Sequence, residues 1–125
     1  MSGEIAHGLQ VGYVIVGVKS LATAVPFYRD TMGFEFEFSE PEMHFAGFRV
    51  GDMRFSLAEG AEETHGTGGR NTGIGFMVRD LDAAHAELAA KGVRFTMGPG
   101  KMPWGGYMAM FVDPDGNEFY LDQAQ

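Results

Sequence analysis

The sequence predicts an α+β fold made of two βαβββ modules, each with one strand, one helix and three further strands. The first observation is local patterning: short runs rich in β-branched and aromatic residues, typical of strands, surround one helical stretch in each half. The second is a repeat, in which VGVKSLATAVPFYRDTMGF from Val16 matches FMVRDLDAAHAELAAKGV, 60 residues later, from Phe76. A repeat at a fixed offset indicates a duplicated unit. Because one such unit leaves a sheet face uncovered, two should combine into one larger curved structure.

The chain has 125 residues, a length that suits one domain with a hydrophobic core. We expect a single domain over residues 1–125, with module one at about 9–58 and module two at about 72–122. The stretch between them, 59–71, reads EGAEETHGTGGRN. It is polar, rich in glycine and without periodicity, so we expect a mobile linker.

Module one is predicted to begin with a buried strand at residues 9–18, which are rich in β-branched side chains. Ser20 or Thr23 can cap the helix that follows, and Gly33 is a natural stop. A start near Thr23 is favoured because it places Pro26 in the first helical turn, where proline is tolerated.

Three strands complete module one. Residues 34–38, FEFEF, alternate without interruption, which predicts a strand with its phenylalanines on one face and water on the other. Residues 43–50 are predicted to form the next strand, and Gly51-Asp52 a hairpin turn into a last strand at 53–58.

Module two follows the same order. A strand at 72–78 precedes a helix at 81–90, for which Asp80 is the predicted N-cap and Gly92 the stop. A strand at 93–97 comes next. The glycine-rich loop GPGKMPWGG then leads to a closing pair of strands, joined by a turn with the sequence DPDG, in which proline and glycine favour tight-turn backbone angles.

Composition excludes several classes of function. The net charge is −8, from 9 basic and 17 acidic residues, and a nucleic-acid-binding protein needs a positive surface. The absence of cysteine excludes disulfides and thiolate sites. No stretch is long and apolar enough to span a membrane, and the N-terminus lacks signal-peptide features. We therefore expect a cytoplasmic protein without nucleic-acid or membrane partners.

In its motifs the chain resembles the vicinal oxygen chelate superfamily, which includes glyoxalase I, extradiol dioxygenases, fosfomycin-resistance enzymes and bleomycin-resistance proteins. The resemblance rests on four motifs in the expected order: Ala24–Asp30 with Gly33-Phe34, Asp80–Ala84, Gly92-Val93, and Asp113–Asn117. It implies paired βαβββ modules whose sheets curve around a cavity, usually built across a homodimer.

Metal-binding members of this superfamily carry His, Glu or Gln on the first and last strands of each module. By the motif anchors, the corresponding positions here hold Tyr13, Ser56, Gly73 and Tyr120. Glycine has no side chain, serine is a weak neutral ligand, and tyrosine must lose a proton from a pKa near 10. The four histidines, His7, His44, His65 and His85, lack metal-site spacing and are expected at the surface. We predict no metal and no cofactor.

The predicted ligand-binding residues follow from strand alternation around those positions and from the single Trp in the glycine-rich loop. They are Tyr13, Arg54, Ser56, Met77, Trp104, Glu118 and Tyr120. Two alternatives stay open: the two tyrosines can fill the place of the metal as core residues, and Trp104 can plug a core or a dimer seam instead of covering a ligand.

The resulting hypothesis is a metal-free protein of the bleomycin-resistance type that sequesters a planar or cationic organic ligand in a homodimer. The alternative is a glyoxalase-like lyase or isomerase, with Glu118 as general base, Tyr120 or Tyr13 as donor and Arg54 as oxyanion stabiliser. A third hypothesis is a filled cavity in an interaction module. The sequence leaves open which ligand binds and whether catalysis occurs.

Overall fold

Eight strands form two four-stranded sheets in the computed structural model, which describes residues 8–60 and 70–124. The strand order is β1-β4-β3-β2 in one sheet and β5-β8-β7-β6 in the other. In each sheet the first strand of the module runs parallel to the last, and the other pairs are antiparallel. This arrangement confirms the α+β fold of two βαβββ modules. The centre of the predicted linker, with His65, and the N-terminal stretch with His7 lie outside the described residues.

The elements of module one are β1 (Tyr13–Val18), α1 (Leu21–Pro26), a π-helical segment (Phe27–Thr31), β2 (Glu35–Glu40), a 3₁₀ turn (Pro41–Met43), β3 (Phe45–Val50) and β4 (Met53–Glu59). Those of module two are β5 (Asn71–Val78), α2 (Leu81–Ala90), β6 (Arg94–Lys101), β7 (Tyr107–Val112) and β8 (Glu118–Gln123). No helix in the described ranges is long and apolar enough to cross a membrane.

Helix α1 begins two residues earlier than predicted, so the expected start near Thr23 is wrong. Its first N–H, that of Leu21, donates to Oε2 of Glu59 at 2.8 Å, and Ser20 at the N-cap position makes no side-chain cap. The same carboxylate accepts from His44 Nδ1 at 2.9 Å. The bond to His44, followed by the bond from Leu21, lowers the pKa of Glu59. A residue 38 positions away therefore caps this helix.

Pro26 is the last residue of α1, and the helix widens there. Proline has no N–H to donate back along the helix. The next turn closes with the wider π spacing, in which Met32 N–H donates to the carbonyl of Phe27 at 2.9 Å. Gly33 then ends the helix with a positive φ of 75°, as predicted.

Strand β2 contains a bulge that the strict FEFEF alternation does not predict. Phe36 pairs with Phe48, whereas Phe38 pairs with Gly47, so the register shifts between them. Because Gly47 and Phe48 are consecutive in β3, Phe36 and Phe38 point to opposite faces of the sheet. The prediction that the phenylalanines share one face is therefore wrong for Phe38.

Helix α2 has the bounds and cap that the sequence predicts. Asp80 accepts the N–H of Ala83 at 3.0 Å through its side chain. Leu81 and Leu88 are buried against the sheet, and Gly92 follows with a φ of 96°. Local sequence signals suffice here because the apolar stripe lies within the helix, and the cap and the stop lie within two residues of its ends.

An aromatic cluster joins the two modules through the helix-bearing faces of their sheets. Phe55 of β4 lies 5.9 Å from Phe76 of β5 and 6.0 Å from Phe119 of β8, measured between ring centroids. Tyr28 lies 5.0 Å from Phe55 and 6.3 Å from Phe119. Tyr28, Phe55 and Phe119 are buried. Each buried Phe contributes about 1.5–3 kcal/mol.

The DPDG turn carries a buried polar network within this core. The Tyr28 hydroxyl donates to Oδ2 of Asp113 at 2.6 Å, and Asn117 Nδ2 donates to the same oxygen at 2.9 Å. The N–H groups of Asp115 and Asn117 both donate to Oδ1 at 2.9 Å. Asn117 Nδ2 also donates to the carbonyl of Gly17 on β1 at 3.1 Å. The DPDG turn of module two is thus hydrogen-bonded to module one through the Asp113 carboxylate and the Asn117 side chain.

We expect Tyr28→Phe to lower the free energy of unfolding by about 1–3 kcal/mol, because Asp113 loses a donor in a buried site. Urea denaturation measures the change. Tyr107→Phe is the control, since it removes a bond from a tyrosine hydroxyl to Asp82 at the surface and should cost less. Equal losses in the two variants would contradict a special role for the buried network.

Alkaline pH should weaken the fold through the same tyrosine. Burial, followed by the charge of Asp113, raises the pKa of Tyr28 well above its usual value. The folded state therefore holds a proton that the unfolded chain releases above about pH 10, and the contribution to stability is lost as pH rises further. We expect the unfolding free energy to fall more steeply above pH 10 in the wild type than in Tyr28→Phe. Parallel curves would refute this.

Candidate functional site

The candidate site lies on the sheet faces opposite the helices. In β1, Val16 and Val18 pack into the core with α1, so Tyr13 and Ile15 occupy the other face. The parallel registers pair Ile15 with Ser56 in module one and Gly75 with Tyr120 in module two. These matched pairs support the equivalence of Ser56 and Tyr120 that the repeat predicts.

The residues predicted to occupy the family's metal positions do not fit a divalent ion. Ser56 is fully buried, and its hydroxyl has no hydrogen-bond partner among the described residues. Gly73 has a φ of 74° and no side chain. Tyr13 is 58% exposed at the start of β1, whereas Tyr120 is half-buried in the middle of β8. Across the described ranges, no group of three or more His, Asp or Glu side chains could hold a metal ion.

The two described histidines have partners of their own. His44 is exposed, as expected, and its ring Nδ1 is hydrogen-bonded to the carboxylate of Glu59. His85 is half-buried, and its ring meets the ring of Phe95 edge-on at 4.5 Å between centroids. Histidine therefore contributes packing and capping in this part of the chain.

The outer face of module one is filled by its own side chains. The ring of Phe38 lies where a Cβ on Gly47 would be, and Arg54 stacks over that ring at 5.6 Å. The ring of Phe45 stacks on the ring of Phe38, with 6.1 Å between the centroids. Glu37, in the bulge, forms ion pairs with Arg54 at 3.4 Å and with Arg49 at 3.3 Å. The bulge in β2 thus supplies the ring and the carboxylate that occupy this face.

Glu118 has hydrogen-bond partners within its own sheet. Thr96 Oγ1 donates to Oε2 at 2.6 Å, and Asn71 Nδ2 donates to Oε1 at 3.0 Å. These bonds, first that of Thr96 and then that of Asn71, lower the pKa of Glu118. A carboxylate held in its charged form is a weak general base near neutral pH. Arg54, the predicted oxyanion stabiliser, lies on the other sheet, in an ion pair with Glu37.

The outer face of module two holds a cleft of about 340 Å³. Met77, Asp122 and Met108 form its floor, because the registers place them side by side on β5, β8 and β7. Its remaining lining residues are Trp104, Gly105, Gly106, Tyr107 and Gln123. Met77 and Trp104 are 67% and 73% exposed, so large apolar surfaces border the cleft. The structure thus brings together two of the predicted ligand-binding residues.

A tight turn between β6 and β7 positions Trp104. Met102 N–H donates to the carbonyl of Gly106 at 2.7 Å, and Gly105 N–H donates back to the carbonyl of Met102 at 2.9 Å. Gly105 has a φ of 96°, a backbone angle that favours glycine. The indole lies against Gly106, where a Cβ would be 2.8 Å from its Nε1. The glycines of the predicted loop therefore hold the Trp at the rim of the cleft.

A second cleft, also of about 340 Å³, lies where the two modules meet. It is lined by Arg54 and Met77 from the predicted set, together with Val14, Phe55, Ile74 and other residues. Met77 borders both clefts. Tyr13, Ser56, Glu118 and Tyr120 line neither of these two clefts. Three of the seven predicted ligand-binding residues therefore line one or both of these clefts, and the other four line neither.

Sequence reasoning missed two residues of the cleft floor, Met108 and Asp122. The alternation along the last strand puts position 122 on the same face as Glu118 and Tyr120, which was the available signal. Asp122 lies beyond the motif that anchors the family positions, and the pairing of β7 with β8 that brings Met108 beside it is a long-range feature.

We expect Gly106→Ala to displace the Trp104 indole, because the added methyl group would collide with it. The indole N–H cross-peak in a ¹H–¹⁵N NMR spectrum reports this directly, since the chain has one Trp. Gly98→Ala is the matched control, as a Cβ there meets nothing within 4 Å. An unmoved indole signal in Gly106→Ala would contradict the packing described.

Comparisons with known proteins agree with this fold and identify the family. The family model of the glyoxalase/bleomycin resistance protein/dioxygenase superfamily matches residues 10–121. A superfamily member from Sphaerobacter thermophilus is 34% identical, covers 93% of this chain and 98% of its own, and superposes with a TM-score of 0.81. TnmS3, an antibiotic binding protein from Streptomyces, is 31% identical over 98% and 100% of the two chains, with the same TM-score. A lactoylglutathione lyase from Agrobacterium tumefaciens shares the fold, with 21% identity, 92% and 93% coverage and a TM-score of 0.77. The chain belongs to the glyoxalase/bleomycin resistance protein/dioxygenase superfamily.

Proposed function

We propose that this protein is a metal-free small-molecule binding protein that sequesters a planar organic ligand. The observation that carries the proposal is the cleft of module two, in which Trp104 borders a floor formed by Met77, Met108 and the carboxylate of Asp122. Aromatic and thioether surfaces with few polar groups suit an organic ligand held by stacking. Sequestration of an antibiotic would be one biological use of such a site.

The donor set favours binding over metal-assisted chemistry. The family's metal positions offer a glycine, a buried serine and two tyrosines. Glu118, the candidate base, is engaged by Thr96 and Asn71. Among the similar proteins, the antibiotic binding protein shares 31% of its sequence with this chain, whereas the likeness to the lyase, at 21%, extends to the fold alone. The lyase or isomerase alternative is therefore the weaker proposal.

A homodimer is part of the proposal. Tyr13, Met77 and Trp104 present large apolar surface on the outer faces of the two sheets. A second copy that placed its module one against module two of the first would cover that surface and enclose the cleft. Sedimentation at twice 13.6 kDa supports this arrangement, and a monomer at micromolar concentration would contradict it.

Binding is tested by calorimetry with a panel of planar aromatic compounds. We expect Trp104→Ala to weaken the binding of a compound that the wild type retains by about tenfold, since one aromatic stacking contact contributes about 0.5–1.5 kcal/mol beyond area burial. Trp104→Phe is the control and should keep part of the affinity. If no compound binds, or if Trp104→Ala binds as tightly as the wild type, the cleft is not the site.

Elemental analysis tests the metal-free part of the proposal independently. We expect less than stoichiometric nickel, zinc, iron or manganese after dialysis, because the described side chains offer no adequate donor set. Metal at one equivalent per chain, with turnover of a small carbonyl substrate that depends on it, would favour the lyase.

A further inference from the structure

We propose that the cleft of module two selects a protonated, nitrogen-containing aromatic cation, and that the carboxylate of Asp122 is the group that recognises it. The inference rests on the proposed function, since it names the class of ligand that the cleft takes. Three features carry it: the position of Asp122 in the cleft, the lack of a partner for one of its oxygens, and the character of the walls.

Asp122 lies at the centre of the floor. On β8 it stands between Met77 of β5 and Met108 of β7, and all three side chains line the cleft. Gly75 of β5 adjoins it, since a Cβ there would be 3.9 Å from Oδ2 of Asp122. A ligand that entered between Trp104 and Met77 would therefore meet this carboxylate at the bottom of the cleft.

Oδ1 of Asp122 is inaccessible to solvent and has no hydrogen-bond partner among the described residues. A buried charged oxygen without a donor is costly, because water and protein both fail to stabilise it. The other polar side chains of the cleft are engaged: Tyr107 donates to Asp82, and Gln123 accepts the N–H of Leu81 at 3.1 Å. Asp122 is the one charged side chain among the lining residues of this cleft.

The walls of the cleft also suit a positively charged ligand. None of its eight lining residues is Lys, Arg or His, so the lining itself supplies no countercharge to Asp122. The exposed indole of Trp104 presents a π face, which attracts cations. An N–H group on a delocalised cation would balance the charge of this carboxylate through its other oxygen, Oδ2, while the ring stacked on the indole.

The requirement for a donor narrows the ligand class. A quaternary ammonium ion has positive charge but no N–H, and a neutral aromatic amine has an N–H but no charge. A protonated aminoquinoline or amidine has both, together with a planar ring. We therefore expect affinity to follow the combination of charge and N–H, at similar size and shape.

The test uses 4-aminoquinoline, which is protonated at neutral pH, and its uncharged isostere 1-naphthylamine, in calorimetric titrations of the full chain. We expect the wild type to bind the cation about tenfold more tightly than the isostere. Asp122→Asn keeps the shape and removes the charge, so it should abolish this preference by weakening the cation alone. Asp52→Asn is the matched control, because it removes one charge from an exposed turn and should leave both affinities unchanged.

The outcomes separate this inference from the proposed function. Equal binding of the two probes by the wild type would overturn the cation inference while leaving a small-molecule site in place. Failure of both probes to bind, with no movement of the Trp104 indole resonance for any planar compound, would overturn both. If Asp122→Asn bound neither probe, the carboxylate would have a structural role, and this outcome would also overturn the inference. The preference of the wild type decides the question if that variant does not fold.

Discussion

The arrangement of the whole molecule depends on one buried carboxylate, that of Asp113. It accepts hydrogen bonds from Tyr28 of module one, from the side chain of Asn117 and from two backbone N–H groups of its own turn. A buried charge is tolerated when its lone pairs are satisfied, and removal of a single donor then exposes the cost of burial. Because the donors come from both modules, neither module can move without breaking this network. The aromatic rings of Phe55 and Phe119 pack around it, so polar and apolar contacts fix the same orientation.

The helix-bearing faces of the two sheets are joined in this way. The two modules differ on the opposite, outer faces of their sheets. In module one, Gly47 leaves room that Phe38 fills, and Arg54 covers the ring. In module two, Gly106 leaves room that Trp104 occupies from one side, so the floor of Met77, Asp122 and Met108 remains open. The same backbone therefore gives a filled face and an open one, and the positions of two glycines explain the difference.

The features that local sequence signals determine were predictable, and those that distant residues determine were not. The repeat and the hydrophobic patterns predict both modules, and Asp80 caps α2 as expected because its partner lies three residues away. The start of α1 depends on Glu59, from the far end of β4, and the bulge in β2 depends on the fit of Phe38 beside Gly47. In the site, Met77 and Trp104 were predicted, whereas the placement of Met108 beside Asp122 depends on the long-range pairing of β7 with β8.

The contrast between two carboxylates on β8 bears directly on what the protein does. Glu118 and Asp122 are four residues apart on one strand and share a face. Glu118 receives donors from Thr96 and Asn71, so its charge is balanced within the sheet and has little left to offer a ligand. Asp122 lines an open cleft, and one of its oxygens is buried without a donor from any described residue. A protein that retains such a group without a partner of its own keeps it at a cost in stability, and a cation that balanced its charge would offset that cost only when bound.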